Sequence, residues 1–301
     1  MNLSTGEMFK FLEQGSSGIV IEGETLKKCQ RVLLGIADDF IRMFEKEGIW
    51  YQLSGGTALG AVREKGFIAW DDDMDLNVKS KDFDKLSGLV RKYYPDKYTF
   101  IDYRTEGYSQ IMGRIMLNNS IYSDRLTTNS KYNGFCIDIF VIENVPNNKV
   151  LRRLHGIMCM IAGGLLSCRN FYRSREVYRE LAKQNPKTAS TIRVKTFIGW
   201  CVSFISCVGW GKITRKVYSL CKNEHSEFVC IPSGKKHYFS EMYPREGMMN
   251  TTAFPFEGHD WQVAQDYDRY FTVLYGADYM TPSPPEKREH HPIFELKFPD
   301  D

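Results

Sequence analysis

Between Leu53 and Val78 the chain reads LSGGTALGAVREKGFIAWDDDMDLNV, and the four aspartates set in its apolar second half constrain the fold more than any other feature. Side chains of an extended strand alternate between faces, so Asp71, Asp73 and Asp75 are expected on one face and Asp72 on the other. Neighbouring carboxylates on one strand face lie roughly 6–7 Å apart. Drawing two of them to about 4 Å costs on the order of 4 kcal/mol at an effective dielectric of about 20. A divalent cation is the usual remedy. Phe67, Ile68 and Trp70 before the acids, and Met74, Leu76 and Val78 among and after them, argue for partial burial rather than a solvated charge run.

With 301 residues, 43% of them hydrophobic and 14% aromatic, the chain can bury a sizeable core, and a globular fold follows. The net charge of +3 is too small to mark a nucleic-acid binder, so no nucleic-acid partner is expected. Eight cysteines carry no CxxC pair and no zinc-finger spacing, which fits reduced thiols in a cytosolic compartment. The opening MNLSTGEMFKFLEQG lacks the basic and apolar regions of a signal peptide, so a cytoplasmic location is expected.

Taken in order, residues 1–22 read as a lead-in arm. Glu24 to Glu47 is an amphipathic helix with apolar residues three and four apart, stopped by Gly48. Ile49 to Leu53 reads as a buried strand, Ser54-Gly55-Gly56 as a turn, and Thr57 to Arg63 as a short helix that aims backbone N–H groups at an anion. The acidic strand follows Gly66, and a helix capped by Ser80 runs to Pro95. Tyr98–Tyr103 and Gln110–Leu117 are expected strands, with Asn118-Asn119 a hairpin turn into Ser120–Tyr122. Phe135 to Ile142, FCIDIFVI, is an apolar strand with a single acid. A buried strand rarely holds an unpaired carboxylate, so if this strand lies beside the acidic one, Asp138 is a fourth ligand or a general base.

Past Leu151 the character changes. Leu154–Cys168 and Thr196–Trp210 are apolar runs of about 15 residues flanked by arginines and lysines, short of the roughly 18–20 residues that span a bilayer. They read as buried helices of a lobe, with a hairpin against the cytoplasmic membrane face as the alternative. Residues 173–187 read as a basic connector. The fold class is therefore α+β: a mixed β-sheet core flanked by helices over 24–148, a helical insertion over 149–240, and a segment over 241–301 that returns to the core, all within one domain.

An EF-hand loop would need Gly and Glu where Leu76 and Asp82 stand. D-D-x-x-D through Asp71, Asp72 and Asp75 belongs on helices and lacks the second copy that prenyl-diphosphate enzymes carry. A glycosyltransferase D-x-D, Asp73-Met74-Asp75, competes more seriously. Against it stands the Gly55-Gly56 turn upstream. Strand, Gly-Gly turn, short helix, a strand bearing D-h-D and a later third acid is the nucleotidyltransferase arrangement, in which the turn meets phosphates and the acids hold a metal. Among basic residues, Arg63 at the end of the turn helix is a candidate for a donor phosphate, or else a surface ion pair with Glu64 or Asp72. Arg114, alone in the apolar GRIML, calls for a buried anion or acid partner. His290 and His291 read as tail-packing residues.

The whole of SGGTALGAVREKGFIAWDDDMDLNV resembles the signature of the LicD/fukutin family of phosphotransferases. FCIDIFVIENVP resembles the family's later strand, and YDRYFTVLYGADYMTPSPPEKREHH its closing segment. Two departures are visible: Ala69 stands where the family usually has Pro, and Glu64 where a His often follows the Arg.

The resemblance implies a nucleotidyltransferase-like fold that moves a phosphorylated alcohol from a CDP-activated donor to a glycan hydroxyl, with CMP leaving. By position it implies Asp71, Asp73, Asp75 and Asp138 as ligands of Mg²⁺ or Mn²⁺, and Asp73, Asp75 and Asp138 as the catalytic acids. Ser54, Gly55, Gly56, Thr57, Arg63 and Arg114 are the expected substrate-binding set. The partners implied are CDP-choline and a glycan or lipid-linked glycan acceptor, met by a protein peripheral to the cytoplasmic membrane face. A nucleotidyltransferase that leaves NMP on its acceptor and a D-x-D glycosyltransferase are the enzyme alternatives. A metal-stabilised scaffold or binding protein is the alternative outside catalysis.

Overall fold

The structure, a computed structural model, describes residues 18–108, 110–123, 130–184, 186–284, 288 and 293–299. The first helix forms where the apolar spacing places it, as α1 (Gly23–Glu47), and stops at Gly48, whose left-handed backbone lets its N–H reach back to the last-turn carbonyls. Leu26, Cys29, Leu33, Ile36, Phe40 and Phe44 all face inward and are buried. Each large apolar side chain removed from water in this way contributes roughly 1.5–3 kcal/mol.

The core sheet is built from β1 (Tyr51–Leu53), β2 (Asp75–Lys79), β3 (Tyr98–Ile101), β4 (Gly113–Leu117) and β6 (Cys136–Val145), in the order β1-β2-β6-β4-β3. β2 and β6 run parallel, and the other neighbours are antiparallel. The sheet is therefore mixed, as the α+β reading requires. On β6 the alternation is clean: Ile137, Ile139 and Val141 are buried in the same apolar cluster as α1, while Asp138 turns to the opposite face. The far end of β6 pairs antiparallel with β7 (Phe228–Cys230), which in turn pairs with β8 (Met242–Pro244).

Helix α2 (Gly55–Arg63) follows β1 directly, and Gly60 is the residue that lets it pack, since a Cβ there would meet the Gly66 carbonyl oxygen at 2.4 Å. Two short helices, α3 (Ser80–Phe83) and α4 (Leu86–Tyr93), lead from β2 to β3. The closing hairpin β9 (Thr251–Phe256) and β10 (His259–Ala264), followed by α9 (Tyr267–Tyr275), returns to the core and packs Trp261, Tyr270 and Phe271 into it.

The helical part is α5 (Lys149–Arg173), α6 (Arg175–Gln184), α7 (Pro186–Cys201) and α8 (Cys207–Tyr218). The stretch expected as a connector is helical in α6, because Tyr178 stacks on Phe171 at a centroid distance of 4.1 Å and joins Ile192 in a small cluster of its own. The second apolar run is split: α7 ends at Cys201, and Ser206 starts α8 by accepting the Gly209 N–H on its side chain. The first run lies within a helix of 25 residues that is by length and composition long and apolar enough to cross a membrane, with 28% of its apolar window buried.

Two further expectations are corrected. The acids at 71–73 precede β2 rather than lying in it, so Asp71, Asp73 and Asp75 do not line one strand face. Pairing with β1 ends at Leu53–Leu76, and the preceding residues turn instead, with the Asp71 N–H donating to the Ile68 carbonyl. Asn119 does adopt a left-handed turn, but β5 (Ile121–Ser123) pairs with β11 (Glu295–Lys297) instead of folding back on β4. His290, His291 and the lead-in arm over 1–17 lie outside the described residues.

Candidate active site

The acids and the glycine turn meet because β1 and β2 are antiparallel neighbours. The Ser54 N–H donates to the Asp75 carbonyl at 2.9 Å, and the Asp75 N–H donates to Thr57 Oγ1 at 2.9 Å, so the turn and the first residue of β2 hold each other. Gly55 sits at φ 52, and a Cβ on it would meet Asp75 Oδ2 at 3.2 Å. A Cβ on Gly56 would meet Asp71 Oδ2 at 2.9 Å. Both glycines therefore leave room for carboxylate oxygens, and Gly55 additionally adopts a backbone conformation that L residues avoid.

Asp138 enters from the neighbouring strand. It is the Cα partner of Asp75 across the parallel β2–β6 pair, and its N–H donates to the Met74 carbonyl at 2.9 Å. On its other side it is the Cα partner of Arg114 across the antiparallel β4–β6 pair. The guanidinium grips it with two bonds, Nε to Oδ1 at 2.7 Å and Nη2 to Oδ2 at 2.9 Å. Asp75, Asp138 and Arg114 thus form one charged row across three strands. Of the two options for Arg114, the structure provides the acid partner.

Burial pushes the Asp75 carboxyl well above the usual carboxylate range, and the charges of Asp73, Asp138 and Asp71 push the same way, with Arg114 opposing them. Burial works against the Arg114 charge, but the facing Asp138 holds its pKa well above the ordinary arginine value. Asp72 lies outside this group: it accepts a short hydrogen bond from the Tyr122 hydroxyl, whose pKa burial and Asp72 push up. Gln30 fixes the turn by donating to the Asp71 carbonyl at 2.9 Å.

The remaining expected binding residues divide. Ser54, Gly55, Gly56 and Thr57 sit against the acids. The Gly55 N–H, however, is taken by the Tyr270 hydroxyl at 2.9 Å, with Ser54 Oγ 3.0 Å from the same oxygen. Arg63 is buried and pairs with Glu64 at 2.8 Å while donating to the Tyr279 carbonyl at 2.8 Å, so its ties run to its neighbour and the C-terminal turn. Tyr270 and Tyr275 are site residues that the sequence did not reveal. The Tyr275 hydroxyl would lie 3.7 Å from a Cβ on Gly55, and although the residue is half-exposed, enclosure of the hydroxyl end, followed by Tyr270 and the acids, pushes its pKa up.

Among the described residues, no three His, Cys, Asp or Glu side chains already converge as a cation cage. The donor chemistry still suits a hard divalent ion: Asp75 is buried among the carboxylates of Asp73, Asp138 and Asp71, which favour its protonated form when no cation is present.

Residues 48–154 match the family model described as the LicD/FKTN/FKRP nucleotidyltransferase domain. The chain is 27% identical over 288 residues to the lipopolysaccharide cholinephosphotransferase LicD of Haemophilus influenzae, covering 90% of this chain and 97% of that protein. A shorter similarity, 33% over 67 residues, links it to an uncharacterised protein of Rickettsia prowazekii, with 22% of this chain and 25% of that one covered. The matched domain holds the glycine turn, the acids, β4 and β6, the elements that assemble the charged row. Residues 48–154 therefore form a LicD/FKTN/FKRP nucleotidyltransferase domain, and over 90% of its length the chain is a distant relative of a LicD cholinephosphotransferase.

Proposed function

We propose that the chain transfers phosphocholine from CDP-choline to a hydroxyl of a cell-surface glycan or glycolipid precursor, releasing CMP. The observation that carries this reading is the pairing of Asp75 with Asp138 beside the Gly55-Gly56 turn, which gathers acids from two distant parts of the chain against backbone that carries no side chain. The acceptor oxygen forms a bond to the phosphorus that bears choline. The bond from that phosphorus to the bridging oxygen breaks, and the oxygen leaves with CMP. The acceptor proton passes to Asp73 or Asp75, because both oxygens of Asp138 are held by Arg114. Asp138 then acts by fixing Arg114 and keeping negative charge beside Asp75. Asp71, Asp73 and Asp75 are the residues that would hold Mg²⁺ or Mn²⁺, which when bound neutralises charge developing on the transferred phosphoryl group.

The half-exposed ring of Tyr275 beside the acids offers a surface for a quaternary ammonium. We place the reaction at the cytoplasmic membrane face, on a lipid-linked acceptor. Supporting this are the exposed Leu151, Leu154 and Ile161 on α5 and Phe197, Trp200 and Phe204 on and after α7, with Arg153 and Arg193 exposed among them.

Product mass tests the chemistry. Purified chain, CDP-choline, Mg²⁺ and an acceptor extract should give an acceptor heavier by phosphocholine, together with free CMP. An acceptor heavier by CMP would overturn the reading in favour of an NMP-leaving nucleotidyltransferase. Co-flotation with liposomes, reversed by detergent, tests the membrane placement, and clean recovery in the soluble fraction would contradict it.

A further inference from the structure

A second cavity opens at the other end of β2. Its volume is about 370 Å³, and it lies where the β2–α3 turn meets α8 and the segment after it. Asp75 is the first residue of β2 and Lys79 the last, so about 13 Å of strand separates this cavity from the acids. No group bound at the acids reaches it within one phosphate.

Its floor is Arg215, a residue of the helical part that is 6% exposed. The guanidinium is ion-paired with the buried Glu143 and donates to Ser80 through the carbonyl at 3.0 Å and Oγ at 3.1 Å. Burial pulls its pKa down, while Asp84 and Tyr103 oppose that shift. The walls carry Lys81, Lys212, Lys216 and Lys222. Of these, Lys81 is neutralised by Glu224 at 2.7 Å, and the lining Asp84 is engaged by Arg104 at 3.3 Å. Lys212, Lys216 and Lys222 have no acid partner among the described residues.

Lys212 and Lys216 stand one turn apart on α8, an arrangement of like charges that costs an isolated helix roughly 0.2–0.5 kcal/mol. The helix dipole favours cations in the last turn, which accounts for Lys216 but not for Lys212 or Lys222. Three ammonium groups without an acid partner among the described residues, around a polar cavity lined by Ser80 and Ser219, match the chemistry of a phosphate ester, with charge from the lysines and a donor from the Ser80 hydroxyl, which itself accepts from Arg215.

We propose that this cavity is a second anion site, distinct from the acid cluster, that binds a phosphate ester through Lys212, Lys216 and Lys222. The ester comes either from a soluble phosphorylated metabolite or from an anionic lipid headgroup, and one experiment separates the two. The full chain is titrated with glycerol 3-phosphate in a calorimeter and, in parallel, sedimented with vesicles of phosphatidylglycerol or of phosphatidylcholine alone.

Binding is expected to at least one anionic probe, weakening about tenfold in Lys212→Gln/Lys216→Gln/Lys222→Gln. It should be kept when the same three positions are arginine. It should also be unchanged in Asp73→Asn/Asp75→Asn, so that the result does not depend on turnover or on the proposed reaction. Binding to glycerol 3-phosphate identifies a soluble ester. Binding confined to phosphatidylglycerol vesicles identifies a headgroup. Absence of binding to both probes by the wild-type chain, or full retention of binding by a triple glutamine variant with unchanged melting temperature, overturns the proposal.

Discussion

Asp75 and Asp138 are register partners across the parallel β2–β6 pair, so an acid that opens one strand is set beside an acid from another strand far along the chain. Arg114 faces Asp138 from the other side and supplies a counter-charge to it. The row holds more negative charge than Arg114 balances, and that imbalance underlies the first two predictions.

Replacing Arg114 by Met removes the bidentate partner and leaves Asp138 unpaired beside Asp75. Breaking a largely buried pair from one side costs about 3 kcal/mol. Thermal unfolding should show Arg114→Met melting well below the wild type. Added Mg²⁺ should then raise the melting temperature of the variant more than that of the wild type, because an ion at the acids replaces part of the lost charge.

Asp75→Asn should act in the opposite direction. The carboxyl sits among Asp71, Asp73 and Asp138, and an amide of the same shape removes the repulsion while leaving the Asp75 N–H on Thr57. Without divalent ions the variant is expected to be more stable than the wild type by about 1 kcal/mol, seen in a urea unfolding curve. A less stable variant would show that the acids are not in mutual repulsion.

Gly56 and Gly60 lie on the same short helix but should fail differently when changed to Ala. At Gly56 the new methyl meets the end of the Asp71 side chain, which can swing away. Stability should change by less than about 1 kcal/mol, while activity falls because the acid is displaced. At Gly60 the obstacle is backbone, the Gly66 carbonyl oxygen, so Gly60→Ala should cost about 2 kcal/mol or more and lower the melting temperature without singling out activity.

These contrasts also show what the sequence could and could not carry. Asp138 was legible because a lone acid in FCIDIFVI has no solvent explanation, and Gly55-Gly56 because paired glycines between a strand and a helix have few other uses. The amphipathic spacing of α1 needed nothing beyond itself. β2 is shorter than its sequence pattern because the alternation of acids and apolar residues continues upstream of Asp75, whereas the hydrogen-bonding partner does not. Tyr270 was invisible for a different reason. It closes on Ser54 and Gly55 from 215 residues away, and a tyrosine in YDRYF has every local reason to be an ordinary core residue, which it also is. The helical character of α6 likewise rests on Phe171 and Ile192 rather than on its own charged surface.

Glu241 gives a prediction in pH. It is 2% exposed, accepts the Lys236 N–H at 2.6 Å, and burial pushes its pKa up to about 7 from 4.5. The folded chain therefore binds more protons than the unfolded one between these values, and stability falls as pH rises through that window. Glu241→Gln keeps the acceptor and removes the charge. Its melting temperature should exceed that of the wild type at pH 8, by on the order of 2 kcal/mol of stability, and match it near pH 4. Equal effects at both pH values would contradict the assignment.

Acids from two parts of the chain, joined by the β2–β6 pairing, are proposed to carry a metal-dependent phosphoryl transfer. The most direct measurement is the rate of CMP release from CDP-choline in the presence of acceptor, for the wild type and for Asp75→Asn, with Mg²⁺ and with EDTA. The wild type should release CMP with Mg²⁺, and release should fall about a thousandfold or more in Asp75→Asn and in EDTA. Release that survives both the substitution and the chelator would contradict it.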